Sequence, residues 1–528
     1  MIQACPYFPT MPGRTPLFRL ISRTLKQHRY FSQINVMNQR RKPEHFSHFG
    51  SRRNFLIRSI AALATVYAAP IMAGGGKINP RIAIVGAGIA GLNAAYVLQQ
   101  AGYRATVYEA SQRTGGRIRT SYGDIAPGLI TELGGEFIDS THQDMLALAK
   151  AFDLPLMDTF IESEQKYKTA FFFNNKHYTE EQVIEEFRPL AVKIASDAGR
   201  LSSNITAQEH TIIDAEFDAI SISEYLDRIG ATGWIRNLIE VAYVTEYGLD
   251  AAELSCINLL SLIDTSMKEG FQVFGDSDER FKIQHGNQRI TDELAKRIGS
   301  NIELDYRLVS IRKNGKGFRL VFSTPGKTIS ADADWVILAL PFTMLRTVDM
   351  GDVLTPKESN IVKNLGYGTN AKLILGTQTR LWREQGYSGE CYSDEPFQTG
   401  WDSSRMQTGS TGSYTFYLGG KIGMDTGRGA VLEHTQRLLA SINRVYPGIV
   451  AQQTSSVLRV HWPSEPFALG SYACFRLGQW VQMNGEVGQP NGNLLFAGEH
   501  CSQGFLGYMN GGAETGRISA QKIIDALR

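Results

Sequence analysis

Six residues, Gly86-Ala87-Gly88-Ile89-Ala90-Gly91, have the types and spacing to hold a dinucleotide. Arg81-Ile82-Ala83-Ile84-Val85 before them is β-branched and reads as a strand. Leu92 to Gln100 reads as a helix ending at Gly102, and Ala105-Thr106-Val107-Tyr108 as a second strand closed by Glu109. This is G-x-G-x-x-G in a strand–turn–helix setting, with an acid 23 positions after the first glycine. Gly86 permits the tight turn, Gly88 lets backbone approach a pyrophosphate, and Gly91 lets helix pack on strand. Unpaired N–H groups at the helix start attract the phosphates. Glu109 can accept hydrogen bonds from ribose hydroxyls, and its charge disfavours a 2′-phosphate.

Further elements must close such a unit. Asn301-Ile302-Glu303-Leu304 through Ile311 reads as one strand, and Phe318-Arg319-Leu320-Val321-Phe322 alternates as its hairpin partner. Trp335 to Leu340, stopped by Pro341, is a continuous apolar run of the kind buried on both faces. Leu494-Leu495-Phe496-Ala497-Gly498-Glu499 is a strand ending in an acid, and Gly507-Tyr508-Met509-Asn510-Gly511-Gly512-Ala513 opens a helix running to Leu527. Residues 141–280 are largely helical in pattern, with apolar positions three or four apart in Asp144 to Phe152, Glu180 to Ser196 and Ile222 to Ile229. Residues 346–490 mix strands, at Ala371 to Thr377 and Ser413 to Leu418, with a helix from Ala430 to Val445. No internal repeat is visible.

At 528 residues the chain is too long for one core, so two or more domains are expected. With 43% hydrophobic and 20% charged residues it is neither fibrous nor disordered. Cys5, Cys256, Cys391, Cys474 and Cys501 lack C-x-x-C spacing, which argues against a disulfide scaffold or a metal site. Residues 1–73 carry eleven Lys/Arg and one acid, Glu44, leaving 43 basic and 51 acidic residues beyond. A basic head would suggest nucleic acid only if it stayed attached, and it reads instead as an address. Ser51-Arg52-Arg53-Asn54-Phe55-Leu56, a short apolar stretch to Ala69 and a small residue, Ala73, describe an export signal of the twin-arginine kind. The stretch is interrupted by Arg58 and too short for a membrane anchor. Met37 offers an alternative start that leaves a signal of ordinary length. Such a signal implies transport of the folded protein by the twin-arginine machinery and a periplasmic or secreted destination.

The residues beyond Glu109 narrow the cofactor. Arg113-Thr114-Gly115-Gly116-Arg117, Glu132-Leu133-Gly134-Gly135-Glu136-Phe137 and the Gly507–Ala513 block resemble the flavin amine oxidase superfamily of monoamine, polyamine and L-amino-acid oxidases. The resemblance implies an α/β fold: a Rossmann-type FAD-binding domain from 77–140, 281–345 and 491–528, and a discontinuous α+β substrate-binding domain from 141–280 and 346–490. It assigns Arg117 to the cofactor phosphates and brings Leu133, Gly134, Gly135 and Glu136 close to the flavin ring. It places Leu308 against adenine, Glu499 at the sugar chain, and the Met509 backbone, with its helix N-terminus, at the pyrimidine end. Ser471 stands where monoamine oxidases carry the cysteine bonded to flavin, which implies dissociable FAD.

The resemblance also implies the reacting centre. Tyr472 and Tyr508 match the two rings that frame the flavin, and Lys372, on an apolar strand, matches a lysine that holds a water to flavin N5. Apolar neighbours would lower the pKa of Lys372 and favour a neutral amine. Trp462 either walls the pocket or simply packs, and His142 reads as structural. Glu136 and Asp139, with no arginine beside them, favour cationic amines by attraction, unless both are merely structural. The expected reaction is oxidation of a primary or secondary amine to an imine and then an aldehyde, with oxygen reduced to hydrogen peroxide. The rivals are an L-amino-acid oxidase or monooxygenase, using an arginine such as Arg405 or Arg476; an amine dehydrogenase with a periplasmic electron acceptor; and a flavin-binding module without oxidase activity.

Overall fold

A computed structural model describes residues 80–528 apart from residue 269, so the export signal and the alternative start lie outside the described residues. The first strand, Ile82–Val85, is wholly buried and sits in the middle of a five-stranded parallel sheet. Trp335–Leu338 and then Leu494–Phe496 lie on one side of it, Ala105–Tyr108 and then Ile302–Glu303 on the other. Strands far apart in sequence thus align their carboxyl ends at one edge, where open α/β sheets bind ligands.

The glycines act as their spacing predicts. Gly86 has φ +107°, and a Cβ there would lie 2.4 Å from the Ala339 carbonyl oxygen. Helix Ile89–Gln100 packs against the C-terminal helix Met509–Ala526 at backbone distance, since a Cβ on Gly516 would lie 2.1 Å from the Ala90 carbonyl oxygen.

One expected strand is two. Ile302–Glu303 completes the parallel sheet, whereas Arg307–Asn314 opens a separate three-stranded antiparallel sheet with Gly317–Thr324 and Lys327–Ala333. The break is at Asp305, φ +62°, where the chain turns so that the Tyr306 N–H donates to the Glu109 carbonyl. The alternating apolar pattern runs through this turn and conceals it.

A seven-stranded mixed sheet carries the other half of the site, in the order Gln453–His461, Ala371–Thr377, Gly412–Leu418, Thr399–Asp402, Tyr387–Ser393, Lys168–Phe173, Lys176–Tyr178. Every residue of Ala371–Thr377 is buried: strands pair along both its edges, and apolar clusters cover both its faces, Leu373 and Leu375 in one and Ile374 in the other. The expected helices form as Gln143–Ala151, Glu180–Ala198, Ile222–Arg228 and Val431–Val445. Cys256, Cys391, Cys474 and Cys501 are free thiols. Among the described residues no helix is long and apolar enough to cross a membrane.

The close helix pair makes a direct prediction. Gly516→Ala forces the C-terminal helix away from Ala90 and should cost about 1–3 kcal/mol, as overpacking of a tight core does. Thermal unfolding measures this, and an unchanged melting temperature would contradict the contact.

Candidate active site

A single cavity of about 1350 Å³ runs from the glycine-rich turn to the seven-stranded sheet. It exceeds the roughly 300–1,000 Å³ of ordinary small-molecule pockets, leaving room for a dinucleotide and a second ligand. Gly86, Gly88, Glu109, Arg117, Leu308 and Glu499 line one end; Lys372, Tyr472, Tyr508, Asp139 and Trp462 line the other.

The first end fits a flavin dinucleotide. Glu109 Oε2 accepts the Ala87 N–H at 2.8 Å and Oε1 accepts both the Ser111 N–H at 2.9 Å and Ser111 Oγ at 2.8 Å, which leaves a lone pair on Oε2 for a ribose hydroxyl. Arg117 Nη1 donates to the Ser471 carbonyl at 2.7 Å and to Glu499 Oε1 at 2.8 Å. Its remaining N–H groups are free to meet phosphate. Glu499 Oε2 accepts the Gly507 N–H at 2.8 Å, which ties the last strand to the loop carrying Tyr508. His500, only 1% exposed, lines the same cavity, and neither ring nitrogen has a protein partner. Orphaned buried nitrogens of this kind indicate an absent polar group. Leu308, buried at a β-bulge, closes the far end beside Tyr108 and Glu109.

At the other end one carboxylate organises three segments. Glu136 Oε2 accepts Lys372 Nζ at 2.8 Å; Oε1 accepts Lys282 Nζ at 2.5 Å and Trp401 Nε1 at 2.9 Å. The Glu136 and Lys372 side chains are each 4% exposed and that of Lys282 10%. Burial alone would raise the Glu136 pKa, but the two ammonium groups outweigh it and lower it to about 2. Lys372 Nζ also donates to the carbonyls of Gly134 at 2.9 Å and Glu132 at 3.1 Å.

Lys372 lines the cavity from a buried strand. Its strand neighbours are apolar, yet three oxygens surround Nζ, one for each N–H of an ammonium. They come from the turn Glu132–Glu136, far away in sequence. The lysine thereby ties that turn to the strand. Gly134 and Gly135 are needed there: a Cβ would meet the Arg117 carbonyl oxygen at 1.8 Å in the first, and the Met509 side chain at 2.6 Å in the second. Leu133 is buried beneath the turn, and Trp462, 6% exposed, walls it.

The structure brings the two expected tyrosines together through one residue. Tyr508 Oη donates to Glu246 Oε1 at 3.0 Å, and Tyr472 Oη donates to the Glu246 carbonyl at 2.5 Å and bonds Tyr417 Oη at 2.8 Å. Asp139 is buried with both oxygens engaged, Oδ2 by Ser277 Oγ at 2.7 Å and Oδ1 by the Glu279 N–H at 3.0 Å. It holds the 277–279 segment in place, and burial raises its pKa to about 6. His142 Nδ1 accepts the Asp139 N–H at 3.0 Å, which fixes the neutral tautomer, and its ring packs edge-on to Tyr508. Glu279 and Glu390 also line the cavity, and burial together with the neighbouring carboxylates pushes Glu279 well above the ordinary range. Arg405 lines the cavity too, but its guanidinium is held by Glu164 at 2.7 Å and by the Thr159 carbonyl at 3.0 Å. Arg476 pairs with Glu253 at the surface.

Lys282, Glu246, Trp401, Tyr417 and Glu279 escaped sequence reasoning. Two of them left traces. Lys282 interrupts a short apolar strand, Phe281–Ile283, and Glu246 puts an acid in the last turn of helix Gly233–Tyr247, where the helix dipole disfavours one.

The parallel sheet, the glycine turn and the cavity at its carboxyl edge define a Rossmann-type flavoprotein oxidoreductase. The chain belongs to the flavin-containing amine oxidoreductase family, whose model matches residues 89–524. An L-amino acid dehydrogenase from Synechocystis is 26% identical over 464 residues, covering 84% of this chain and 94% of its own. An L-amino-acid oxidase from Gloydius blomhoffii is 24% identical, covering 84% and 89%. Among solved structures, a putrescine oxidase bound to putrescine superposes with TM-score 0.73 at 22% identity, over 84% of this chain and 99% of that one. Cyclohexylamine oxidase from Brevibacterium oxydans gives 0.74 at 21%, over 85% and 99%.

Glu136→Gln tests the ion cluster. It leaves two buried ammonium groups without a counter-charge, which costs about 3–5 kcal/mol when a buried pair is broken. The Glu136 pKa falls from 4.5 to about 2 on folding, so its contribution is complete above about 4.5 and lost as pH falls through about 2. Denaturant unfolding should show a large deficit for the variant at pH 7 that narrows as pH drops below 4.5. A pH-independent difference, or none, would contradict the ion-pair assignment.

Proposed function

We propose that the protein holds FAD non-covalently and oxidises a primary or secondary amine, of the monoamine or polyamine class, to an imine that hydrolyses to an aldehyde, with oxygen reduced to hydrogen peroxide. Gly86, Gly88 and Gly91 would receive the pyrophosphate, Arg117 its charge, Glu109 and Glu499 the sugar hydroxyls, and Leu308 the adenine. The Met509 backbone and helix N-terminus would meet the ring. Ser471, buried and bonded through Oγ to Asn370 Oδ1 at 2.6 Å, supports a dissociable cofactor, since no thiol stands there. The bound flavin supplies a two-electron acceptor.

The chain's own residues select and position the amine. The observation that carries the reading is the carboxyl-rich lining of the cavity around Tyr472 and Tyr508: Glu246, Glu279 and Glu390 present oxygens there, while Arg405 is already committed to Glu164. An amine can donate its N–H groups to these oxygens, and Arg405, one of the two arginines expected to meet an amino acid's carboxylate, is held by Glu164. The tyrosine rings offer apolar faces to a neutral amine, and Lys372 with Glu136 fixes the Gly134–Gly135 turn beside them. The names of the sequence relatives favour a second reading, L-amino-acid oxidation, and the same assay separates the two. The Arg52-Arg53 signal supports export of the folded, loaded protein to the periplasm or beyond.

The test is anaerobic mixing of purified, flavin-loaded protein with putrescine, spermidine, an arylalkylamine and L-amino acids, following the flavin absorbance. Bleaching by an amine, at a rate lowered on the order of tenfold or more in Lys372→Met, is the expected result; tenfold is about 1.4 kcal/mol of barrier. Bleaching by amino acids alone would overturn the substrate class, and slow recovery of colour in air would point to a protein electron acceptor. No bleaching by any compound would overturn the oxidase reading.

A further inference from the structure

Glu246 stands where a carboxylate is least stable. It occupies the last turn of helix Gly233–Tyr247, whose carbonyl ends carry negative partial charge, and it faces the cavity. The groups around it are the phenols of Tyr508, Tyr472, Tyr417, Tyr247, Tyr243 and Tyr392 and the carboxylates of Asp139 and Glu279, none of them a cation. Tyr508 occupies Oε1, while Oε2 has no hydrogen-bond partner among the described residues. The residue therefore holds the phenol ends of both cage rings and presents one open oxygen beside them.

We propose that Glu246 takes the proton from the incoming substrate ammonium at the phenol end of the cage, so that the amine meets the ring faces neutral. The inference rests on the amine-oxidation reading above. One N–H bond of the ammonium breaks and one O–H bond forms on Oε2. The electron pair stays on nitrogen as the lone pair that oxidation requires, and no oxidant is consumed in the step.

Physical chemistry favours the transfer at this place. Burial raises the Glu246 pKa, the Tyr508 hydrogen bond opposes this, and Asp139 adds to it, leaving the group at about 7. An alkylammonium of pKa about 10.4 would keep its proton against such an acid in water, but full burial lowers an amine by up to about 3–5 units. The product is a neutral amine beside a neutral acid, which needs no buried ion pair and relieves the repulsion among Glu246, Asp139 and Glu279.

The test counts protons at equilibrium. tert-Butylamine has no C–H on the carbon bearing nitrogen, so it binds without being oxidised. Calorimetry of its binding to the flavin-loaded protein, in buffers of differing ionisation enthalpy, gives the protons released. Below the Glu246 pKa the wild type should release about one proton, and well above it about zero, because the carboxylate then absorbs the ammonium's proton. Glu246→Gln keeps an oxygen for Tyr508 and should lose this pH dependence, while Glu246→Asp should retain it. In anaerobic flavin reduction by a primary amine, Glu246→Gln should be slower at pH 7 on the order of 100-fold, as for loss of a general base. The rate should recover as rising pH supplies neutral amine from solution.

A wild-type proton count that does not change with pH, or a Glu246→Gln count that changes as the wild type's does, overturns the proposal. So does failure of tert-butylamine to bind. If amines bleach the wild-type flavin and only the proton count fails, amine oxidation stands and the role of Glu246 falls; if no amine bleaches it, both fall.

Discussion

A buried carboxylate between two ammonium groups is the constraint on which the site depends. Glu136 lies in the turn after strand Ile130–Glu132, Lys282 on Phe281–Ile283 and Lys372 on Ala371–Thr377, the second strand of the seven-stranded sheet. Each charge alone would be strongly destabilising at this depth, and together they are tolerable only in this geometry. The pairing thus registers the glycine turn against the substrate sheet, with Trp401 Nε1 and the carbonyls of Glu132 and Gly134 completing the shell. Asp139, Glu246 and Glu279 stand elsewhere in the cavity without such ammonium partners, and burial raises the pKa of each.

A second ion pair does the same for the cofactor end. Arg117 and Glu499 approach to 2.8 Å from segments that meet only through the parallel sheet. The helix packing permitted by Gly516 and the loop held by Glu499 then bring Tyr508 and Met509 to the cavity beside Gly135. Fold and site are coupled because the strands that form the sheet also end in the residues that line the pocket.

The cofactor half was legible in the sequence, since its signals are local: Gly86 to Glu109 is one continuous unit, and Leu494 to Ala513 another. The strand carrying Lys372 was equally legible from its apolar run. The contacts of Lys372 were not, because its three acceptors lie some 240 positions earlier and come partly from backbone carbonyls, which no side-chain pattern reveals. The partners of Asp139 were hidden for a related reason: it lines the cavity beside the glycine turn, but Ser277 and Glu279 arrive from a distant loop. The turn at Asp305 was hidden by alternation that continues through it.

The most direct test of the central claim is a double-mutant cycle on Glu136 and Lys372, measuring unfolding free energies of the wild type, Glu136→Gln, Lys372→Met and the double variant. A buried ion pair at 2.8 Å predicts strong coupling: the double variant should be more stable than the sum of the singles implies, by about 1–3 kcal/mol. Additivity within about 0.5 kcal/mol would show that the two residues act independently and that the ion cluster does not organise the site.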